Sequence, residues 1–249
     1  MVLFIHGGAW ESGSRVMIDT VEDQNVAAMR DAWLSRGWAT VSIDYRLLHE
    51  ARMPAQLHDA KAAVRWVRAH AERYGLDEGR IAVAGESAGG HLAQLLGTTR
   101  GQAGFEGEEG TPGSSDVVAV VSFYGVSDLG RLVADRVRAG CGPGSAGADS
   151  PEGRLIGADP ASEAGSRAAA EASPLTHISS GSAPTLFIHG RQDCVVPHAQ
   201  SERAAAALEK AGVTTQLVLL DGGHAESRYY APPEMQRTVV DFLRPYLEE

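Results

Sequence analysis

Six short apolar runs, rich in β-branched residues, recur at 2–5, 40–43, 81–84, 117–123, 185–188 and 215–220, with helical patterns between them. Most are apolar nearly throughout, as expected for strands covered on both faces. Strands alternating with helices build βαβ units and a mostly parallel sheet, so the fold class is α/β. The helical period is plain at Leu57, Ala60, Val64, Val67, Ala71 and Tyr74, with Gly75 as the stop, and at Val26, Met29 and Trp33 before Gly37. A third helix is expected after Pro197, ending near Gly212. A last one carries Met235, Val239, Leu243 and Leu247, with Pro245 expected to disturb its final turn. A chain of 249 residues is long enough to close one such α/β domain around its own core.

Several classes are excluded at once. No apolar run approaches the roughly 20 residues of a membrane span. Twenty-two basic residues against 32 acidic ones give a net charge of −10, which removes a whole-chain basic footprint for nucleic acid. Cys141 and Cys194 are too few for a disulfide scaffold and match no zinc spacing. The opening residues, MVLFIHGGAW, read as a buried strand and not as a signal peptide. A cytoplasmic location is therefore expected, the alternative being a chain that begins after a removed segment.

Two stretches break the rhythm. Residues 101–116 carry five glycines, which predicts a mobile surface loop. Residues 127–183 contain short helical pieces and no convincing strand. An insertion of that length between core strands is expected to cap a site, the alternative being a surface excursion without function.

The sharpest local signal is Gly85-Glu86-Ser87-Ala88-Gly89, a G-x-S-x-G that follows a strand and opens a helix. That context is a nucleophile elbow: the glycines permit a strained turn, and the serine stands exposed at a helix N-terminus, where the dipole favours developing negative charge. A serine hydroxyl needs a base to take its proton. Of nine histidines, His224 lies just past a strand end on a glycine-flexible loop near the C-terminus, and is the candidate base. His91 is expected to pack or cap, and His6 and His189 to hold loops by hydrogen bonds. The acid that orients the imidazole is expected to be Asp193, just beyond a strand's carboxyl end, with Asp221 as the fallback. Glu86 is read as a core hydrogen-bonding residue. His6-Gly7-Gly8-Ala9-Trp10 follows the first strand and can turn backbone N–H groups toward the serine.

HGGAW at 6–10, Asp44-Tyr45-Arg46-Leu47, the run 54–90, Ser150-Pro151-Glu152, Ser173-Pro174, HGRQD at 189–193 and Gly223-His224 follow one another in the order found in a known family. The chain resembles the α/β-hydrolases of the hormone-sensitive-lipase-like and feruloyl/acetyl-esterase group. The resemblance implies a serine carboxylester hydrolase with Ser87 as nucleophile, His224 as base and Asp193 as orienting acid. It further implies an oxyanion hole from Gly8, Ala9 and Ala88, with Gly7 allowing the turn. Trp10 is expected either to line the substrate pocket or to pack as a buried indole.

Two departures shape the expectations. Ala9-Trp10 stands where the hormone-sensitive-lipase branch usually has a third glycine, and HGGxW also resembles kynurenine formamidase, which cleaves an N-formyl amide. The family's first two strands have no counterpart ahead of HGG. The strand at 40–43 is then expected to be an edge, inviting a homodimer. The expected substrate is a small or short-acyl carboxylic ester, with a formamide as the alternative and a non-catalytic binding protein as the third reading. No metal or organic cofactor is called for. Cys141 and Cys194 could bridge the insertion to the loop after Asp193; two free thiols are expected for a chain without an export signal.

Overall fold

The computed structural model describes residues 1–249 apart from Asp23, Glu109 and Glu249. Its sheet is built from β1 (Val2–Ile5), β2 (Thr40–Ile43), β3 (Ala82–Glu86), β4 (Val120–Phe123), β5 (Thr185–Gly190) and β6 (Thr215–Leu220). The spatial order is β2-β1-β3-β4-β5-β6, and every pairing is parallel. The fourth strand is shorter than the run 117–123. Val118 already donates its N–H to Ile81 O at 2.9 Å before β4 begins, so the apolar run enters the sheet gradually.

Period-two alternation divides the core. Leu3 and Ile5 of β1 and Val83 of β3 face one layer, while Val2 and Phe4 of β1 with Ala82 and Ala84 of β3 face the other. The first layer is covered by α2 (Ala55–Ala69) through Leu57, Ala60, Val64 and Val67, and by α3 (Ala88–Thr98) through Leu92, Leu95 and Leu96. The second is covered by α1 (Val26–Ser35) through Val26, Met29 and Trp33, and by α8 (Pro233–Leu247) through Met235, Val239 and Leu243. A smaller cluster packs α7 (Ala199–Lys210) on Phe187 of β5. Fully burying one such leucine or valine contributes about 1.5–3 kcal/mol. Pro245 does not stop α8, which continues to Leu247: a proline one turn from the end removes a single N–H, and Leu243 and Leu247 stay buried on either side of it.

Between β4 and β5 the chain forms α4 (Leu132–Arg138), α5 (Pro151–Ile156) and α6 (Glu163–Ala172). The serine–proline pairs have local work here. Ser150 Oγ caps α5 by accepting from Gly153 N at 3.0 Å, with Pro151 in the first turn. Ser173 Oγ accepts from Leu129 N at 2.9 Å, tying the two ends of the insertion together. The glycine-rich loop at 101–116 is pinned to α2. Lys61 reaches Thr99 O at 3.0 Å and Glu106 Oε1 at 2.7 Å, Arg65 donates to Thr111 O at 2.8 Å, and Arg68 donates to Asp116 O at 2.7 Å.

Contrary to the expected pair of free thiols, Cys141 and Cys194 form a disulfide, their Cα atoms 5.4 Å apart. The bridge joins the loop after α4 to the loop after β5. The partners are 53 residues apart in sequence, and only the docking of the insertion against that loop brings them within bonding reach.

Candidate active site

The strand order reverses between β1 and β3, and the crevice outside the carboxyl ends of the strands at such a switch point is where open α/β sheets bind ligands. The HGGAW loop leaves β1 there and the elbow leaves β3 there. Ser87 has φ 49° and ψ −115°, a backbone conformation that costs a non-glycine residue about 1–3 kcal/mol. It is held by Ser87 N donating to Phe123 O at 2.9 Å and by His91 N donating to Ser87 O at 3.0 Å. The turn needs glycine at position 89, because a Cβ there would run into the Ile5 carbonyl.

Ser87 Oγ lies 3.0 Å from His224 Nε2, and His224 Nδ1 lies 2.7 Å from Asp193 Oδ2. A carboxylate can only accept, so Nδ1 carries the proton and Nε2 is left to accept from the serine hydroxyl. Asp193 Oδ1 accepts from Val195 N and Val196 N, both at 2.9 Å. His189 is a neighbour that the sequence reading assigned only to loop-holding. Its Nε2 donates to Val196 O at 2.7 Å and sits 3.3 Å from Asp193 Oδ2. Burial pushes the Asp193 carboxyl up, but hydrogen bonds from His189 and His224 and their attraction outweigh it and hold the group well below the usual carboxylate range. Asp221 is exposed, and its backbone carbonyl accepts from Arg228.

Gly8, Ala9 and Trp10 all have positive φ (100°, 53° and 60°), which curls the loop over Ser87. The N–H groups of Gly8, Ala9 and Ala88 take no part in the backbone hydrogen bonding among the described residues. Gly7 N instead donates to Glu86 Oε1 at 3.2 Å, and Glu86 Oε2 accepts from Tyr124 at 2.7 Å and Tyr230 at 3.0 Å. Trp10 is buried; its Nε1 donates to His91 Nδ1 at 3.3 Å, and His91 Nε2 donates to Ala172 O at 2.6 Å. Burial lowers the His91 pKa to about 4, in keeping with a neutral ring that accepts on one nitrogen and donates from the other.

Two openings flank Ser87. A cleft of about 410 Å³ is walled by Gly8, Ser12, Tyr124, His224 and Ala225, and a smaller pocket of about 130 Å³ by Trp10, Ala88, Leu132, Arg136, Glu152 and Val196. A larger apolar cavity of about 510 Å³, lined by Met53, Phe105, Ile156 and His177, shares no lining residue with either. No helix among the described residues is long and apolar enough to cross a membrane.

The BD-FAE family model matches residues 1–208. Esterase LipC of Mycobacterium tuberculosis is 34% identical over 238 residues, covering 89% of this chain and 54% of its own length. The chain spans about half the length of the curated relatives it matches. A truncated form of a carbohydrate esterase from gut microbiota superposes with a TM-score of 0.82 at 30% identity, over 97% of this chain and 84% of that one. A bifunctional GH43-CE protein of Bacteroides eggerthii superposes with a TM-score of 0.83 at 32% identity, over 99% of this chain and 34% of that one. With its parallel sheet, its elbow and a family match over most of its length, the chain belongs to the BD-FAE family and has the α/β-hydrolase fold.

Proposed function

We propose that the chain is a serine carboxylesterase that hydrolyses small, short-acyl esters through an acyl-enzyme on Ser87. The observation that supports this most is the unbroken line of hydrogen bonds from Asp193 through His224 to Ser87, beside the amides of Gly8, Ala9 and Ala88. Named esterases among the relatives favour the same chemistry.

In this reading Ser87 Oγ attacks the ester carbonyl as His224 Nε2 takes its proton. The carbonyl oxygen becomes an oxyanion, and the Gly8, Ala9 and Ala88 N–H groups donate to it; each such donor is typically worth about 10²–10³ in turnover. Collapse breaks the bond to the alcohol, which leaves with the proton from His224. Water then gives a proton to His224 as its oxygen attacks the acyl carbon; the bond to Ser87 Oγ breaks, the acid leaves, and Ser87 Oγ takes that proton back from His224. Asp193 stays ionised throughout and stabilises the imidazolium.

The leaving oxygen must come within reach of His224, so the wider cleft takes the alcohol and the smaller pocket takes the acyl group. A cavity of about 150 Å³ accepts a benzene ring. A pocket of about 130 Å³ therefore suits acyl groups of a few carbons. A Cys141–Cys194 bridge argues for an oxidising compartment, against the cytoplasmic address expected from the opening residues. The outer edge of β2 pairs with no further strand among the described residues, and a second copy pairing there is the associated state this reading carries; light scattering tests it.

The testing experiment combines an organophosphonate probe with a panel of p-nitrophenyl esters. Covalent labelling at Ser87 and a higher kcat/KM for acetate and butyrate than for octanoate are expected. A folded protein that neither labels nor turns over any ester would overturn the proposal.

A further inference from the structure

The pocket assigned above to the acyl group is not apolar all round. Trp10, Val126, Leu132 and Val196 give it an apolar wall, and the insertion adds Arg136 from α4 and Glu152 from α5. Both charged residues are buried, Arg136 at 7% and Glu152 at 2% exposure. Arg136 Nε donates to Val195 O at 2.8 Å and Nη1 donates to Ser145 O at 2.9 Å, so the guanidinium is fixed in place. Glu152 Oε1 forms an ion pair with Nη1 at 2.9 Å, yet it accepts no hydrogen bond among the described residues.

A buried carboxylate that lines a pocket and is held by an ion pair alone can accept a ligand O–H as a hydrogen bond, which offsets part of its desolvation cost. The pair also discriminates by charge. An ammonium on the substrate would lie beside Arg136, and a carboxylate would lie beside Glu152, so either gains little next to a pair that is already neutralised. A hydroxyl satisfies both partners, because it donates and accepts.

We propose that this pocket selects short acyl groups that carry a hydroxyl, whose O–H donates to the Glu152 carboxylate while its oxygen faces the Arg136 guanidinium. The inference rests on the esterase reading, with the acyl group on the side of Ser87 away from His224. A site built to hydrogen-bond a substrate hydroxyl discriminates against the isostere that lacks it much more strongly than an apolar pocket separates two alkyl groups.

The test pairs isosteres on the wild-type protein: p-nitrophenyl esters of both enantiomers of 3-hydroxybutyrate against 3-methylbutyrate, and of 4-hydroxybutyrate against pentanoate. At least one hydroxyacyl ester should exceed its partner in kcat/KM by about tenfold. Glu152→Leu should abolish that advantage, and Glu152→Gln, whose amide oxygen still accepts, should keep part of it. Alkyl esters cleaved as fast as every hydroxyacyl partner would overturn the inference, and so would a hydroxyl preference that survives Glu152→Leu. The wild-type ratios decide even if a variant fails to fold. Acetate turnover without hydroxyl preference removes this inference alone, whereas the absence of both ester turnover and phosphonate labelling removes the esterase reading with it.

Discussion

Gly7 N donates to Glu86 Oε1 at 3.2 Å, so the residue that precedes the elbow serine also anchors the glycine loop opposite it. Glu86 is 1% exposed, and its other oxygen accepts from Tyr124 and Tyr230, whose hydroxyls also touch one another. Burial and the nearby Glu86 charge raise both phenols well above their ordinary range, so they remain donors at working pH. Glu86→Gln keeps the volume but turns an NH₂ toward hydroxyls that need an acceptor, or else toward Gly7 N. The loop amides should then shift relative to Ser87. A fall in kcat of about 10–100-fold with little change in KM is expected, since a misplaced oxyanion donor costs transition-state binding and not ground-state binding. Steady-state kinetics beside a thermal melt check this; a loss confined to KM would contradict it.

Asp193→Asn should lower kcat by about 10⁴, because an amide can hold His224 in the tautomer that leaves its other nitrogen protonated and unable to accept from Ser87. Wild-type Asp193 has its pKa depressed, so it stays ionised while the solution is acidified past the point where an imidazole takes a proton. The acid side of the kcat/KM profile should therefore fall with the slope of a single proton, Asp193 contributing none. A two-proton slope on that limb would mean that Asp193 titrates there, against its depressed pKa.

His91 makes folding stability depend on pH. Its folded pKa of about 4 lies below the 6.5 of an exposed histidine, so between those values the unfolded chain binds the extra proton. Stability should consequently fall as pH drops through that window, by up to about 3 kcal/mol from this group. His91→Asn lowers stability at neutral pH by losing the links to Trp10 and Ala172, but it removes this contribution to the slope. Urea midpoints at several values between pH 7 and pH 4 check the difference: the variant's curve should be the flatter one.

What was legible in the sequence, and what was not, follows from the range of the interactions. Strands buried on both faces, such as β1 and β4, are apolar at nearly every position, and the half-buried β2 and β6 still carry enough apolar and β-branched residues to appear as runs in the sequence. The elbow is equally local, since Gly85, Ser87 and Gly89 answer to one turn. The choice between Asp193 and Asp221 was not local: it depends on how the loops after β5 and β6 meet, and only coordinates put 2.7 Å between His224 Nδ1 and Asp193. His189 beside Asp193 has a faint signal, a histidine four residues before an acid at a strand end. The Arg136–Glu152 pair has none, because it depends on how α4 and α5 pack, and the Cys141–Cys194 bridge was legible only as the alternative to two free thiols, because it forms where the insertion docks on the loop after β5.

That bridge carries a stability and an activity prediction together. It closes a loop across a sequence separation of 53, for which chain entropy predicts about 4 kcal/mol, with 2–4 kcal/mol typical of measured bridges. Cys194 is exposed, so a mild reductant can reach it. It also directly follows Asp193, whose carboxylate is fixed by the N–H groups of Val195 and Val196. Opening the bridge frees one end of that short loop while leaving Arg136 on Val195 O as a second tether. Dithiothreitol should therefore lower the melting temperature by several degrees and kcat/KM by about tenfold without unfolding the protein. Cys141→Ser should reproduce both effects and make the enzyme insensitive to reductant. Thiol labelling before reduction should find no reactive cysteine, and two labelled cysteines in the unreduced protein would rule the bridge out.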